Sequence, residues 1–183
     1  MKNKELWSNV AWYGGIILIM ILLRAFVFSS VVVSGNSMNP TLVDGERIIS
    51  LKHSKIKRFD VVTFPAPDEP DKNYIKRVIG LPGDTVEYKD DQLFINGKKY
   101  AEPYLDEYKG MIDEMPEGAP LTKDFTLKEV TGDNKVPAGS YFVLGDNRQN
   151  SKDGRMIGFI KENDILGDVK LSFWPLSKIG VIK

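Results

Sequence analysis

The chain has 183 residues, of which 42% are hydrophobic and 27% are charged, and its 25 basic residues balance 25 acidic ones. This length suffices for one domain or two small ones with a buried core. The balanced charge disfavours general nucleic-acid binding, which requires a basic surface. The chain has no cysteine and one histidine, His53. These counts exclude disulfides, thiolate metal sites and zinc sites with several histidines, and we expect no metal or other cofactor.

The N-terminal region carries a long uncharged segment, from Leu6 to Leu23. As a helix it would measure about 27 Å, which is close to the thickness of the hydrocarbon core of a bilayer. Apolar residues on all faces argue against a helix buried in a protein core. A cleaved signal peptide is a second alternative, but the small residues Ser29 and Ser30 lack the A-x-A pattern. We therefore predict an uncleaved transmembrane anchor over residues 6–28.

Positive charges flank this anchor on both sides. Lys2 and Lys4 precede it, and basic residues favour the cytoplasmic side of a membrane helix. Arg24 on the opposite flank weakens that argument, and we expect its side chain to snorkel to the interface. The predicted topology is a single-pass protein of the cell membrane, with residues 1–5 in the cytoplasm and the following domain outside it.

After residue 33 the apolar runs are short, rich in Val, Ile, Phe and Tyr, and interrupted by Gly and Pro. Such runs are typical of strands, and Asn96-Gly97 predicts a type I′ hairpin turn. The anchor is followed by no long amphipathic helix pattern, so we predict a mostly β domain. We predict strands at 47–51, 60–64, 74–81, 85–88, 92–95, 140–144 and 168–174.

Residues 101–138 differ in composition from the segments on either side. They contain four prolines, many charged residues and few apolar runs. We interpret this stretch as an insertion between two halves of the main sheet. Within it, residues 123–130 are predicted to form one further strand.

Two residues are candidate general bases for a serine nucleophile. His53 lies in a cationic stretch typical of an exposed loop, which makes it a poor candidate. Lys76 lies in an apolar, strand-like run, on the same face as Tyr74 and Val78. If Lys76 is buried, its pKa falls towards the range of a general base. A lysine that snorkels from a sheet edge is the alternative.

Two further segments carry polar groups of possible functional use. Small residues surround Ser37 directly after the anchor, so its backbone can approach a ligand closely. A turn capped by Ser or Asn before Pro40 is the alternative. Residues 145–155 form a dense polar loop after a strand. Its Asp and Arg residues suit either an exposed connection or a buried network that orients a site.

Together these segments resemble the type I signal peptidases, which are membrane-anchored Ser/Lys endopeptidases. The similarity includes the family's nucleophile box, the strand before the base, the general-base box and the last box. The matching segments are SGNSMNPTL (34–42), DVVTF (60–64), YIKRVIGLPGD (74–84) and GDNRQNSKDGR (145–155).

The resemblance implies a domain organisation. An antiparallel β-sheet catalytic domain would consist of residues 29–90 and 139–183. Residues 91–138, which carry no recognisable motif, would form the family's smaller, variable, β-rich inserted subdomain.

The resemblance also implies roles for individual residues. Ser37 would be the nucleophile, Lys76 the general base, and Ser151 would hydrogen-bond the lysine amine. The oxyanion hole would include the backbone N–H of Ser37; Gly35 stands where some members have a serine that adds a second donor. Arg77, Asp153 and Arg155 would form supporting ion pairs. Val33, Met38, Leu42, Tyr74 and Ile75 would line the substrate pockets.

The implied function is removal of signal peptides from secretory preproteins, with cleavage after small residues of A-x-A type. Membrane lipid and, by proximity, the export machinery would be its other partners, and no nucleic acid is expected. Two alternatives stay open. One is a catalytically silent homologue that acts as a binding or regulatory membrane protein. The other is a related Ser/Lys peptidase with a different substrate, such as a pilin-type precursor or its own chain.

Overall fold

A computed structural model describes residues 2–111 and 120–182, with side chains from Trp7 onward. The first element is helix α1 (Lys2–Phe26). Its segment Trp7–Phe26 is long and apolar enough to cross a membrane, with a mean hydropathy of 1.7. The side chains of this segment are exposed rather than packed against the rest of the protein. This finding excludes a helix buried in a protein core.

Twelve strands and three short α-helices are described after α1. The strands are β1 (Phe28–Val32), β2 (Arg47–Leu51), β3 (Val61–Pro65), β4 (Asn73–Gly80), β5 (Val86–Lys89), β6 (Gln92–Ile95), β7 (Lys98–Tyr100), β8 (Phe125–Thr126), β9 (Ser140–Leu144), β10 (Ile160–Lys161), β11 (Gly167–Trp174) and β12 (Gly180–Val181). The helices are α2 (Asp106–Gly110), α3 (Leu127–Thr131) and α4 (Gly154–Ile157).

The strands form two antiparallel sheets. The larger sheet has the order β1-β2-β11-β3-β4-β9-β10, with β12 beside β11. The smaller sheet has the order β7-β6-β5-β8. The predicted fold class, mostly β with one N-terminal apolar helix, is confirmed.

Strand β4 is paired along only part of one edge. Strand β3 pairs with β4 from Asn73 to Arg77, whereas β9 pairs with it only from Arg77 onward. The edge of Asn73–Lys76 that faces away from β3 is therefore open. Strand β1 lies at the end of the larger sheet, so it too has an open edge.

A shared apolar core joins the two sheets. Ile79 of β4 and Phe142 of β9 belong to the same buried cluster as Tyr88 and Leu93 of the smaller sheet. Burial of these large side chains stabilises the contact between the sheets. The smaller sheet is thus packed firmly against the strands that carry the later part of the site.

Several predicted strands are confirmed at their bounds, namely 47–51, 92–95 and 140–144. The strand predicted at 123–130 is wrong. Only Phe125–Thr126 is extended, and α3 follows it. The physical reason is a capping box, in which the Thr126 hydroxyl accepts from the Glu129 N–H and the Glu129 carboxylate accepts from the Thr126 N–H.

The predicted domain boundaries stay a prediction. The smaller sheet includes Val86–Lys89, which precedes the boundary predicted at residue 91. Helix α1 ends at Phe26, two residues before the predicted end of the anchor. Part of the predicted insertion, 112–119, lies outside the described residues.

Because the two sheets pack closely around Gly80, we expect a larger residue at this position to destabilise the fold. A Cβ atom there would lie 2.8 Å from Val136 Cγ2 and 3.0 Å from Val86 Cγ2. Neither valine can move away easily, so we expect Gly80→Ala to destabilise the fold by about 1–3 kcal/mol. The measurement is the urea midpoint of the full-length protein in detergent. Gly180→Ala, where a Cβ meets nothing within 4 Å, is the control. Equal midpoints for the two variants would contradict the prediction.

Candidate active site

Ser37 and Lys76 are in direct contact. The Lys76 Nζ lies 2.7 Å from Ser37 Oγ and donates to it, and it also donates to the Ile75 carbonyl at 3.0 Å. Lys76 is only 2% exposed. Its place opposite Val62 in the β3–β4 ladder directs the long side chain inward, as predicted from the apolar run. The snorkelling alternative is therefore wrong.

Burial lowers the pKa of Lys76 to about 8. The carboxylates of Asp153 and Asp146 oppose this effect, because they favour the charged amine. With a pKa near 8, a substantial fraction of the amine is neutral at mildly alkaline pH. A neutral amine 2.7 Å from a hydroxyl can accept its proton, which makes Ser37 Oγ a better nucleophile.

The turn that carries Ser37 is fixed from both sides. Met38 and Leu42, which follow Ser37, are buried in the cluster beneath it. On the other side, the Asn147 N–H donates to the Ser37 carbonyl at 3.0 Å. Gly35 takes a positive φ of 87°, which suits glycine, and its N–H donates to Asp44 Oδ1 at 2.8 Å.

Two ion pairs, each with a buried carboxylate, border the dyad. Arg77 forms a two-pronged pair with Asp146, at 2.9 Å from Nε and 2.6 Å from Nη2. Arg155 pairs in the same way with Asp153, with both contacts at 2.8 Å. The sequence identified Arg77, Asp153 and Arg155 but not Asp146. Both carboxylates and Arg77 are fully buried, whereas the Arg155 side chain is 18% exposed.

Ser151 lies beside the dyad but does not bind the lysine amine. Its Oγ is buried and has no hydrogen-bond partner in the described part of the chain. The serine packs against Gly145, where an added Cβ would lie 2.0 Å from Ser151 Oγ and 2.5 Å from the Ser37 carbonyl. Only glycine fits at 145, a requirement that sequence reasoning missed although the residue lies in the last motif.

A groove of about 530 Å³ opens beside Ser37 and Lys76. Its walls come from Val31–Met38 and from the open edge of β4, Asn73–Lys76. Four of the five predicted substrate-pocket residues line it: Val33, Met38, Tyr74 and Ile75. Leu42 does not, because it is completely buried in the core under the turn.

Charged residues at the rim of the groove were not predicted. Lys152 lines the groove and forms an ion pair with Asp68 of the β3–β4 loop. Glu69 and Lys72 of that loop form a second pair at 2.5 Å. The only sequence signal was the density of charge in these loops. His53 lines a different cavity, together with Ser54 and Glu162, so it is not the partner of Ser37.

Comparison with known proteins agrees with the motifs. Residues 6–174 match the model of a family described as signal peptidase, peptidase S26. Signal peptidase I of Bacillus caldolyticus is 49% identical over 92% of this chain and 91% of its own length. Signal peptidase IB of Staphylococcus aureus is 40% identical over 96% of this chain and 93% of its own length.

A solved structure shows the same fold. The crystal structure of a signal peptidase I from Enterococcus faecalis V583 is 45% identical and superposes with a TM-score of 0.58. The match covers 63% of this chain and 97% of the crystallised one. The resemblance drawn from the motifs is confirmed: the chain belongs to the signal peptidases of family S26 and is a serine peptidase, hence a hydrolase.

Proposed function

We propose that this protein is a membrane-bound signal peptidase I that removes N-terminal signal peptides from exported preproteins. Ser37 is the nucleophile and Lys76 the general base. The observation that carries the proposal is the 2.7 Å contact between Ser37 Oγ and the buried Lys76 amine, in the wall of a groove bordered by two open strand edges.

The reaction proceeds through an acyl-enzyme. Neutral Lys76 takes the proton of Ser37 Oγ while the oxygen attacks the scissile carbonyl carbon. The lysine then gives this proton to the leaving amine, which frees the mature protein. The signal peptide is left esterified to Ser37. A water molecule, deprotonated by Lys76, attacks this ester and restores the serine.

The backbone N–H of Ser37 supplies the oxyanion hole. It donates to no other group in the described residues, so it is available to the developing negative charge. The N–H of Gly35 is already engaged by Asp44 Oδ1. A glycine at 35 also offers no side-chain donor. The hole therefore depends on the nucleophile's own amide more than on the Gly35 region.

The substrate binds as an added strand between β1 and β4. Its backbone pairs with the open edge of Asn73–Lys76, and alternate side chains point into the groove. Val33, Met38 and Ile75 line the groove but are almost fully buried, so we expect the pockets that they line to be shallow. Shallow apolar pockets admit small side chains at two alternate positions, which accounts for A-x-A specificity. The charged rim faces the remaining substrate residues.

The anchor keeps the enzyme at the membrane. Helix α1 presents exposed apolar side chains to lipid, and the positive charges of Lys2 and Lys4 favour a cytoplasmic start of this helix. The catalytic domain then lies outside the cell membrane, beside the export machinery. Exposed apolar residues on the C-terminal segment support contact of this domain with lipid. They are Trp174, Leu176, Ile179 and Val181.

Removal of either dyad residue is expected to abolish cleavage. Wild-type protein in detergent should cut an A-x-A preprotein after the second alanine. Ser37→Ala and Lys76→Ala should reduce the rate by about 10³-fold or more, since each removes a reacting group. Fragments are quantified by gel electrophoresis and the site by mass spectrometry.

His53→Ala is the matched control and should retain wild-type activity, because His53 lies in another cavity. Normal cleavage by Lys76→Ala would refute the dyad. Wild-type protein that binds several preproteins without cutting any would favour the silent homologue. Cleavage confined to pilin-type precursors or to its own chain would favour the related peptidase.

The buried lysine also predicts a pH dependence. Lys76 must be neutral to act as a base, and its pKa is about 8. Below that pH the amine is protonated, so kcat/KM should fall about tenfold per pH unit; above it, kcat/KM should level off. The measurement is kcat/KM between about pH 6 and pH 10, with circular dichroism to establish that the fold persists. A flat profile below pH 8 would contradict a neutral lysine base.

A further inference from the structure

The loop 145–153 contains a buried arginine that the mechanism does not use. Arg148 is 2% exposed and lies between the larger and the smaller sheet. Its Nη2 pairs at 2.6 Å with Oε1 of Glu102, which follows β7 of the smaller sheet. The same carboxylate oxygen accepts from the Tyr88 hydroxyl at 2.5 Å and the Tyr104 hydroxyl at 2.6 Å. One oxygen of Glu102 thus gathers three donors.

The other donors of Arg148 bind groups on both sides of the contact between the two sheets. Nη1 contacts the Tyr88 hydroxyl and, at 3.2 Å, the Thr122 hydroxyl. Nε donates to the Gly145 carbonyl at 3.1 Å. The guanidinium therefore ties Glu102, Tyr88 and Thr122 to Gly145, the first residue of the loop. Burial raises the pKa of Tyr88, so its hydroxyl remains a neutral donor.

The loop held by Arg148 leads directly to the dyad. Gly145 packs against Ser151 and the Ser37 carbonyl, and the next residue but one, Asn147, donates to that carbonyl. The Arg148 carbonyl itself accepts from Arg155 Nη2 at 2.8 Å. A displacement of Arg148 would therefore be transmitted to the turn that carries the nucleophile.

A contribution to the stability of the core does not by itself explain why Arg148 and Glu102 are buried here. A buried ion pair stabilises a fold little compared with apolar residues of the same volume, but it specifies one geometry. Here the hydrogen bonds of the cluster join four separate parts of the chain, which must meet in one way: Tyr88, the segment 102–104, Thr122 and Arg148.

We propose that Glu102 and Arg148 are positioning residues for the peptidase reaction, through which the smaller subdomain fixes loop 145–153 against Ser37. This inference rests on the proposed function. It also gives a role to the part of the chain in which the sequence showed no motif.

The test is Glu102→Gln in the full-length protein in detergent. Glutamine keeps the shape but removes the charge that holds the guanidinium. We expect kcat for an A-x-A preprotein to fall about tenfold or more, with KM changed less than about twofold. Hydrogen exchange followed by mass spectrometry should show faster exchange in residues 145–153. Tyr88→Phe, which removes one hydroxyl from the cluster, should shift both readouts in the same direction by a smaller amount.

Two control variants separate positioning from stability. Leu93→Ala opens a cavity in the core of the smaller sheet, and Glu129→Gln removes a carboxylate from the exposed capping box of α3. Both lie in the same subdomain and neither side chain bonds the loop. We expect both to keep kcat within about twofold, and Leu93→Ala to lower the unfolding temperature at least as much as Glu102→Gln.

A double variant tests whether the two residues act together. Arg148→Gln should resemble Glu102→Gln, and the double variant should lose no more kcat than the worse single one. Three results would each overturn the proposal. The first is a double variant whose loss of kcat equals the product of the two single losses. The others are wild-type kcat and exchange in Glu102→Gln, or a loss of kcat in Leu93→Ala equal to that in Glu102→Gln. If wild-type protein cleaves no preprotein, the proposed function fails, and the exchange data alone decide whether the pair positions the loop.

Discussion

The structure depends on keeping one lysine amine buried and able to lose its proton. Burial alone lowers the pKa of Lys76, but Asp146 and Asp153 lie near enough to raise it again. Each of these carboxylates is bound by an arginine, Arg77 or Arg155, with two hydrogen bonds. Each carboxylate thus organises the loop as half of an ion pair, while burial still holds the pKa of Lys76 below its ordinary value. The two ion pairs and the lowered pKa of Lys76 are therefore electrostatically linked.

The sheet topology explains why these groups meet. Strand β9 pairs with β4 only from Arg77 onward, and then the chain leaves the sheet as loop 145–153. The point of departure has two consequences. It leaves the edge of Asn73–Lys76 open for an added strand, and it turns the loop with its buried carboxylates towards Ser37. One interruption in a strand pair thus creates both the groove and the surroundings of the dyad.

The sequence predicted what depends on local pattern. Strand alternation indicated that Lys76 could be buried, and the resemblance to the signal peptidases implied its pairing with Ser37. Patterns did not reveal which carboxylate pairs with Arg77, because Asp146 and Asp153 are equivalent by type and only the loop path distinguishes them. The same holds for Glu102, whose partner lies 46 positions away. The capping box that begins α3, unlike these long-range contacts, could have been predicted, because Thr126-x-x-Glu129 is a local signal that the strand assignment overlooked.

The connection between anchor and groove is short, which has a physical consequence. Helix α1 ends at Phe26 and β1 begins at Phe28, and the groove wall starts at Val31. The five residues 27–31 connect the helix to the groove wall, and as extended chain they span at most about 17 Å. Since β1 is also paired to β2 along its length, this connection is a strand of the sheet rather than a flexible linker. In the proposed topology, a membrane-tethered substrate and a groove held at a fixed height meet at high effective concentration, and a longer, looser connection would lower that concentration. In that topology, β1 sets the distance of the groove from the bilayer, because it enters the sheet directly after α1.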